Sequence, residues 1–309
     1  MQLPAHVRES IDAQAQRVGF AALRSAAAAL SDAYRQGDLS ALARLPGAER
    51  TAAYLVTRMP ATYAAAYAVL GEVARRLGGE IGGILDIGAG AGAASLAARH
   101  WFPQAAITMI ERDPVMARAA REWLPDAALL VEDVARLPLL PPNDLVMAAY
   151  SLGEFEGNQA PRMWQAARAA MVAIEPGTPA GFARVRALRS ALLASGARML
   201  APCPGGMECP VAAPDWCHFA ARAERSGLHR RLKGAELNYE DEKFSYVAVT
   251  RDPVETARAR IVRRPQHRPG LIVLETCTPA GLATERVTRR DQEAFRAARQ
   301  ASWGDAWSG

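Results

Sequence analysis

Leu85-Asp86-Ile87-Gly88-Ala89-Gly90-Ala91-Gly92 is the stretch whose reading decides the fold. Ile84–Ile87 has the composition of a buried strand, three glycines at alternate positions break it, and Ala93–His100 resumes as a helix. Glycines at such a place let the chain turn sharply and let its backbone approach a ligand that a β-carbon would obstruct. The same alternation continues downstream. Ala106–Ile110, Ala128–Val131, Asp144–Ala149 and Val172–Ile174 read as strands, and Pro114–Trp123 and Phe182–Ser195 as helices. Strands separated by helices of this length predict βαβ units and an α/β fold with a parallel, doubly wound sheet.

The glycine loop by itself is ambiguous, because Ala93 also completes the looser dinucleotide pattern. Its surroundings separate the options. Asp86 can take a ligand ammonium, directly or through water, where a pyrophosphate would be repelled. Glu111 follows the second strand, where a carboxylate can accept both hydroxyls of a ribose. Asp133, in Glu132-Asp133 after the third strand, can hydrogen-bond an adenine amino group. Acids after three successive strands, with no basic residue in the loop, favour S-adenosylmethionine (SAM) over NAD, the bland alternative being a turn that binds nothing. The cofactor set is thus Asp86, Gly88, Gly90, Gly92, Glu111 and Asp133. Tyr150-Ser151-Leu152-Gly153-Glu154 follows the fourth strand and faces the methyl group. It lacks the Asn-Pro-Pro-aromatic signature of exocyclic amine methylation and has no His or Lys as a base. Tyr150, Ser151 and Glu154 are the nearest polar candidates.

Cys203, Cys209, Cys217 and Cys277 are all the cysteines in 309 residues, too few for a disulfide scaffold and too clustered for chance. Four thiolates fit tetrahedral zinc or a [4Fe–4S] cluster. Spacings wider than the usual zinc pairs lean towards iron–sulfur, while His218 could replace a cysteine around zinc. Four unrelated buried thiols are the plain alternative, and a cytosine-C5 methyltransferase nucleophile at Cys203 would sit after the wrong strand.

The rest of the chain frames these motifs. Residues 1–75 read as helical, with breaks at Gln36-Gly37-Asp38 and Leu45-Pro46-Gly47. Residues 76–250 hold the SAM-type domain, with a Cys-rich insertion at 199–217. Arg251-Asp252-Pro253 opens a basic extension, 251–309, with a strand Leu271–Thr276 and an Arg-rich helix from Asp291. Net charge is +5 and almost wholly due to arginine, since Lys233 and Lys243 are the only lysines. Arg258, Arg260, Arg263, Arg264, Arg268, Arg289, Arg290, Arg296 and Arg299 form a segment suited to phosphate contact and base stacking. No apolar run approaches the roughly 18 residues of a spanning helix, and the N-terminus makes a poor signal or transit peptide. A cytoplasmic protein is expected.

A resemblance covers nearly the whole chain. Arg58-Met59-Pro60-Ala61-Thr62-Tyr63, the Asp86–Gly92 loop, Glu175-Pro176-Gly177-Thr178-Pro179, Cys203…Cys209-Pro210…Asp215-Trp216-Cys217-His218-Phe219, Glu240-Asp241-Glu242-Lys243-Phe244-Ser245-Tyr246, Cys277-Thr278-Pro279-Ala280-Gly281 and Trp303-Gly304-Asp305 all fit one pattern. The chain resembles a bacterial member of the methyltransferase-like family that assists assembly of the mitochondrial small ribosomal subunit. The resemblance implies a Rossmann-like class I SAM-dependent methyltransferase sheet with a helical N-terminal extension, a Cys-rich insertion and a small C-terminal α+β tail. It implies a [4Fe–4S] cluster on Cys203, Cys209, Cys217 and Cys277, and binding to 16S-type ribosomal RNA of the small subunit during maturation. Either SAM-dependent methylation of that RNA or a non-catalytic assembly role, structural or iron- and redox-sensing, satisfies it.

Overall fold

The computed structural model describes residues 1–36, 46–155, 159–206 and 208–308. Of the two expected helix breaks, Gln36-Gly37-Asp38 and Leu45-Pro46-Gly47, residues 37–45 lie outside the described ones, and a helix resumes at Gly47 behind Pro46. Four helices open the chain: α1 (Ala5–Val18), α2 (Phe20–Gln36), α3 (Gly47–Thr57) and α4 (Met59–Arg76). The sheet region follows as β1 (Gly83–Ile87), α5 (Ala93–Trp101), β2 (Ala106–Ile110), α6 (Pro114–Trp123), β3 (Ala128–Leu130), β4 (Asn143–Ala149), α7 (Ala160–Ala166), β5 (Ala167–Pro176) and α8 (Pro179–Ala194). Then come β6 (Arg198–Ala201), β7 (Phe219–Glu224), α9 (Gly227–Lys233) and β8 (Tyr239–Thr250). The last part holds β9 (Ala259–Ile261), β10 (Gln266–Arg268), β11 (Leu271–Thr278), β12 (Gly281–Thr288), α10 (Gln292–Gln300) and β13 (Ala306–Trp307).

The main sheet runs β3-β2-β1-β4-β5-β8-β6, with β7 also paired to β8. β1 to β5 are mutually parallel, and β8 enters antiparallel between β5 and β6. Both faces are covered, which is why the central strands read as continuous apolar runs rather than alternating ones. Ile84, Leu145 and Val172 face the N-terminal helices with α5 and α6; Leu85, Val146 and Ala173 face α7 and α8. Local chemistry sets the helix starts. Asp113 accepts from the Val115 and Met116 amides ahead of Pro114, and Thr178 accepts from the Gly181 amide ahead of Pro179.

A second, five-stranded antiparallel sheet is built from β9 to β13 around Ile261, Ile272, Leu274, Val287 and Trp307, with α10 against it. This corrects the expectation of one strand and one helix in the extension. β9, β10 and β13 have three or fewer residues, too short to show a period, and only alternate residues of β12 are shielded. Arg198–Ala201 is likewise strand, so the irregular part of the insertion starts at Pro202.

The expected solvent-facing arginine segment also needs correction. Arg260 is 2% exposed. Its Nε donates to the Pro202 carbonyl, Nη1 to the Gly304 carbonyl and Nη2 to Glu72 Oε1, each at 2.8 Å. Arg263 and Arg264 are tied to Asp215 and Asp241. Burial alone would raise the Glu72 carboxyl, but the Arg260 and Arg76 guanidiniums outweigh it and hold it at about 2. That stabilisation is complete above the ordinary carboxylate range and is lost as pH falls towards 2. Removing one partner strands a buried charge, at a cost of roughly 3–5 kcal/mol. Glu72→Gln is therefore expected to lower the unfolding free energy by that order at pH 7, in denaturant titrations, and by much less near pH 3.

Candidate functional site

A cavity of about 500 Å³ opens where β1 and β4 lie side by side at the carboxyl ends of the strands. This is the switch point of a doubly wound sheet, and the volume lies in the range of small-molecule sites. Gly88, Gly90 and Gly92 all have left-handed backbones, with φ of +70°, +56° and +77°. A β-carbon on Gly88 would lie 2.6 Å from the Ser151 Cβ, whereas one on Gly90 would meet only the Tyr54 hydroxyl, at 3.8 Å. Gly88 is thus demanded by packing, and Gly90 is the point where bare backbone lines the cavity.

Asp86 is 1% exposed. Its Oδ2 accepts from the Ser95 hydroxyl at 2.7 Å, while Oδ1 is buried without a partner among the described residues. Burial, with Glu111 nearby, pushes its carboxyl up to about 7 despite the Ser95 hydrogen bond. A ligand ammonium would answer both the charge and the vacant lone pairs. Glu111 Oε2 accepts from the Gly90 amide and Oε1 from the Asp113 amide, both at 2.7 Å. It fixes the glycine loop to the end of β2, and burial raises its carboxyl too. Asp133 lines the cavity while capping the turn at Val134–Arg136 through the Ala135 amide. The six residues read from the sequence as a SAM set thus share one region, five of them on the cavity wall; Gly92 supports the loop from behind.

Tyr150, Ser151 and Glu154 line the same cavity, and each already has a partner. The Tyr150 hydroxyl donates to Glu242 Oε1 at 2.9 Å, and burial raises its ionisation well above the ordinary phenol range. Its backbone, at φ +59°, is the one non-glycine positive φ among the described residues, a conformation that costs of order 1–3 kcal/mol and concentrates at functional sites. The Ser151 hydroxyl donates to the Ile87 carbonyl at 2.9 Å, and Glu154 pairs with Arg112 at 3.0 Å. No His or Lys lines the cavity among the described residues. The N-terminal helices supply a wall that motif reading missed: Arg50 and Tyr54 of α3, then Arg58 and Thr62 at the α3–α4 junction. The signal was present, since Arg58 and Thr62 belong to the Arg58–Tyr63 motif, but nothing in spacing alone carries α3 across to the glycine loop.

All four cysteines line a second cavity, between α8, the insertion and β11, with Phe182, Val185, Pro210, Val211, Phe219 and Val262. They are free thiols. Among the described residues no His, Asp or Glu lines this cavity, and no three such groups or thiols anywhere are gathered about the position of a single metal ion. Burial pushes up the Cys203 and Cys217 thiols and takes Cys277 to about 12, the other cysteines adding to the rise at each. Arg189, also on the wall, favours the Cys203 thiolate. His218 stands outside, stacked on Trp216 and edge-on to Trp303.

Strand order and the crevice at its switch point define a Rossmann-like class I methyltransferase fold with an added antiparallel unit. The family model described as mitochondrial small ribosomal subunit Rsm22 matches residues 48–308. The chain belongs to that family. No curated protein sequence matches it. Among solved structures, the Pyrococcus horikoshii protein PH1948 is 14% identical over 62% of this chain and 83% of its own, with a TM-score of 0.38. Precorrin-6y C5,15-methyltransferase from Geobacter metallireducens is 16% identical over 59% and 85%, at 0.37. Mitomycin 7-O-methyltransferase MmcR is 20% identical over 46% and 42%, at 0.33. Likenesses this distant add nothing to the fold read from the strands. No helix among the described residues is long and apolar enough to cross a membrane.

The buried Asp86 carboxyl gives a pH signature. A raised carboxyl stabilises the folded chain fully below its unfolded ionisation near 4, and that contribution is lost as pH rises through about 7. Relative to Asp86→Asn, the unliganded wild type should lose about 2–3 kcal/mol of unfolding free energy between pH 5 and pH 8 in urea titrations.

Proposed function

We propose that this protein binds SAM in the β1–β4 crevice and a [4Fe–4S] cluster on Cys203, Cys209, Cys217 and Cys277, and acts on or holds small-subunit ribosomal RNA during ribosome assembly. The observation that carries the reading is the convergence of every cysteine, from segments up to 74 residues apart, on one cavity free of carboxylate and imidazole among the described residues. An all-thiolate set is soft and suits iron–sulfur or zinc; the wide spacing of the ligands favours the cluster. Buried Arg189 and Arg260 offset part of the charge that four thiolates bring.

The SAM half rests on the Gly88–Gly90 cradle and on the unpartnered Asp86 oxygen. When bound, SAM supplies an electrophilic methyl group. Asp86 would hold the ligand ammonium, Glu111 its ribose hydroxyls and Asp133 its adenine edge. Residues 1–75 then act as a wall of the site, 76–250 as the SAM-type domain and 251–309 as the extension that brings the fourth cysteine.

An assembly factor that never transfers the methyl group is the second reading. Its support is that Tyr150, Ser151 and Glu154 are each engaged inside the protein, with no His or Lys on the cavity wall among the described residues. Gly90→Arg puts a side chain into the cavity, where a β-carbon meets only the Tyr54 hydroxyl, at the cost of a strained left-handed backbone. It is expected to abolish S-adenosylhomocysteine binding in calorimetry and, on the enzymatic reading, methyl transfer to undermethylated small subunits. Transfer that persists in Gly90→Arg removes this crevice as the catalytic site; binding without transfer in the wild type selects the second reading.

A further inference from the structure

The charge of the molecule is concentrated in its smallest unit. Residues 259–308 carry nine arginines against five carboxylates, a balance of +4 where the entire chain has +5. Four of those carboxylates are occupied internally. Glu275 accepts from the Thr284 hydroxyl, Glu285 from the Trp307 indole, Asp291 caps α10, and Asp305 accepts from the Ser302 amide. Arg260, Arg263 and Arg264 are used in holding the unit to the rest of the chain. The remaining six, Arg268, Arg286, Arg289, Arg290, Arg296 and Arg299, are exposed and have no ion pair among the described residues.

The register places two of them together and sets the α10 pair apart. Arg268 lies opposite Leu271, which lies opposite Thr288; Gln266 and Arg286 both lie opposite Val273. Directly paired residues share a face, so Gln266, Arg268, Arg286 and Thr288 stand on one face, the one turned away from α10. Arg289 and Arg290 continue from the end of β12, with the Arg289 guanidinium 5.9 Å from the Phe295 ring centre. Arg296 and Arg299 are three apart on α10, which packs on the other face of the sheet, so they lie outside this surface.

We propose that the sheet face carrying Arg268 and Arg286, with Arg289 and Arg290 following at the end of β12, is a binding site for the sugar-phosphate backbone of RNA, read by shape and charge rather than by sequence. The proposal rests on the reading of the chain as a ribosomal-RNA factor and assigns the contact to one surface. A flat face of guanidiniums interleaved with threonine and glutamine matches phosphates and 2′-hydroxyls. An anionic membrane would call for apolar anchors as well, and Leu282, 51% exposed, is the one exposed large hydrophobic side chain described in this unit.

The test measures anisotropy of a labelled RNA duplex of about 16 base pairs, the length over which shape readers span two minor grooves, across a salt series. Each phosphate contact contributes about 0.7–0.9 to the slope of log affinity against log salt. Arg268→Gln/Arg286→Gln/Arg290→Gln should flatten the slope by about 2 and weaken binding at least about tenfold near 0.1 M salt. The corresponding triple lysine variant should keep both, and Arg118→Gln/Arg121→Gln on α6 should change neither. An unchanged slope in the triple glutamine variant overturns the surface while leaving RNA binding standing. Wild type that ignores the duplex up to about 10 µM overturns the surface and the RNA reading together. Capture by phosphatidylglycerol vesicles without RNA binding overturns it in favour of a membrane partner.

Discussion

Arg260 is the constraint on which the arrangement of the two sheets depends. A guanidinium that cannot shed its charge is fully buried and survives only because three parts of the chain meet its donors: the Pro202 carbonyl beside Cys203, the Gly304 carbonyl and Glu72 of α4. The small sheet can therefore dock in one place. In that place Cys277, opposite Arg260 in the β11–β9 ladder, joins the three cysteines of the insertion. The ion pair and the four thiols meet at the same seam.

The methyltransferase-type crevice is built by different physics. Parallel strands covered on both faces leave only their carboxyl ends free, so the polar groups that can do chemistry collect there. Asp86 shows the cost of that placement: a carboxyl with one oxygen satisfied by Ser95 and the other buried without a partner among the described residues. A site that pushes this acid to about 7 is organised for a partner it does not itself contain, and a cationic ligand is the partner that fits.

Much of this was legible in the sequence because its carriers are local. Ala106–Ile110 and Pro114–Trp123 are read to the residue, since apolar runs and an Asp-Pro helix start leave little choice. The cofactor residues sit at strand ends, where position along the chain fixes position in space. What escaped was non-local. β9, β10 and β13 are short, and their partners, not their own pattern, make them strands. The burial of Arg260 has no sequence signature at all, because an arginine reads the same exposed or enclosed. The α3 wall, with Arg50 and Tyr54 facing the glycine loop, likewise depends on how the helical extension folds back over β1 and β2.

On the proposed reading, the four cysteines hold one iron–sulfur cluster joining the insertion to the C-terminal sheet. The most direct measurement is the iron, zinc and acid-labile sulfide content of anaerobically purified protein, with its visible spectrum, for the wild type and Cys277→Ser. About four irons and four sulfides per chain are expected in the wild type, and their loss when the cysteine contributed by the small sheet is removed. Stoichiometric zinc without sulfide, or neither metal, would contradict that reading.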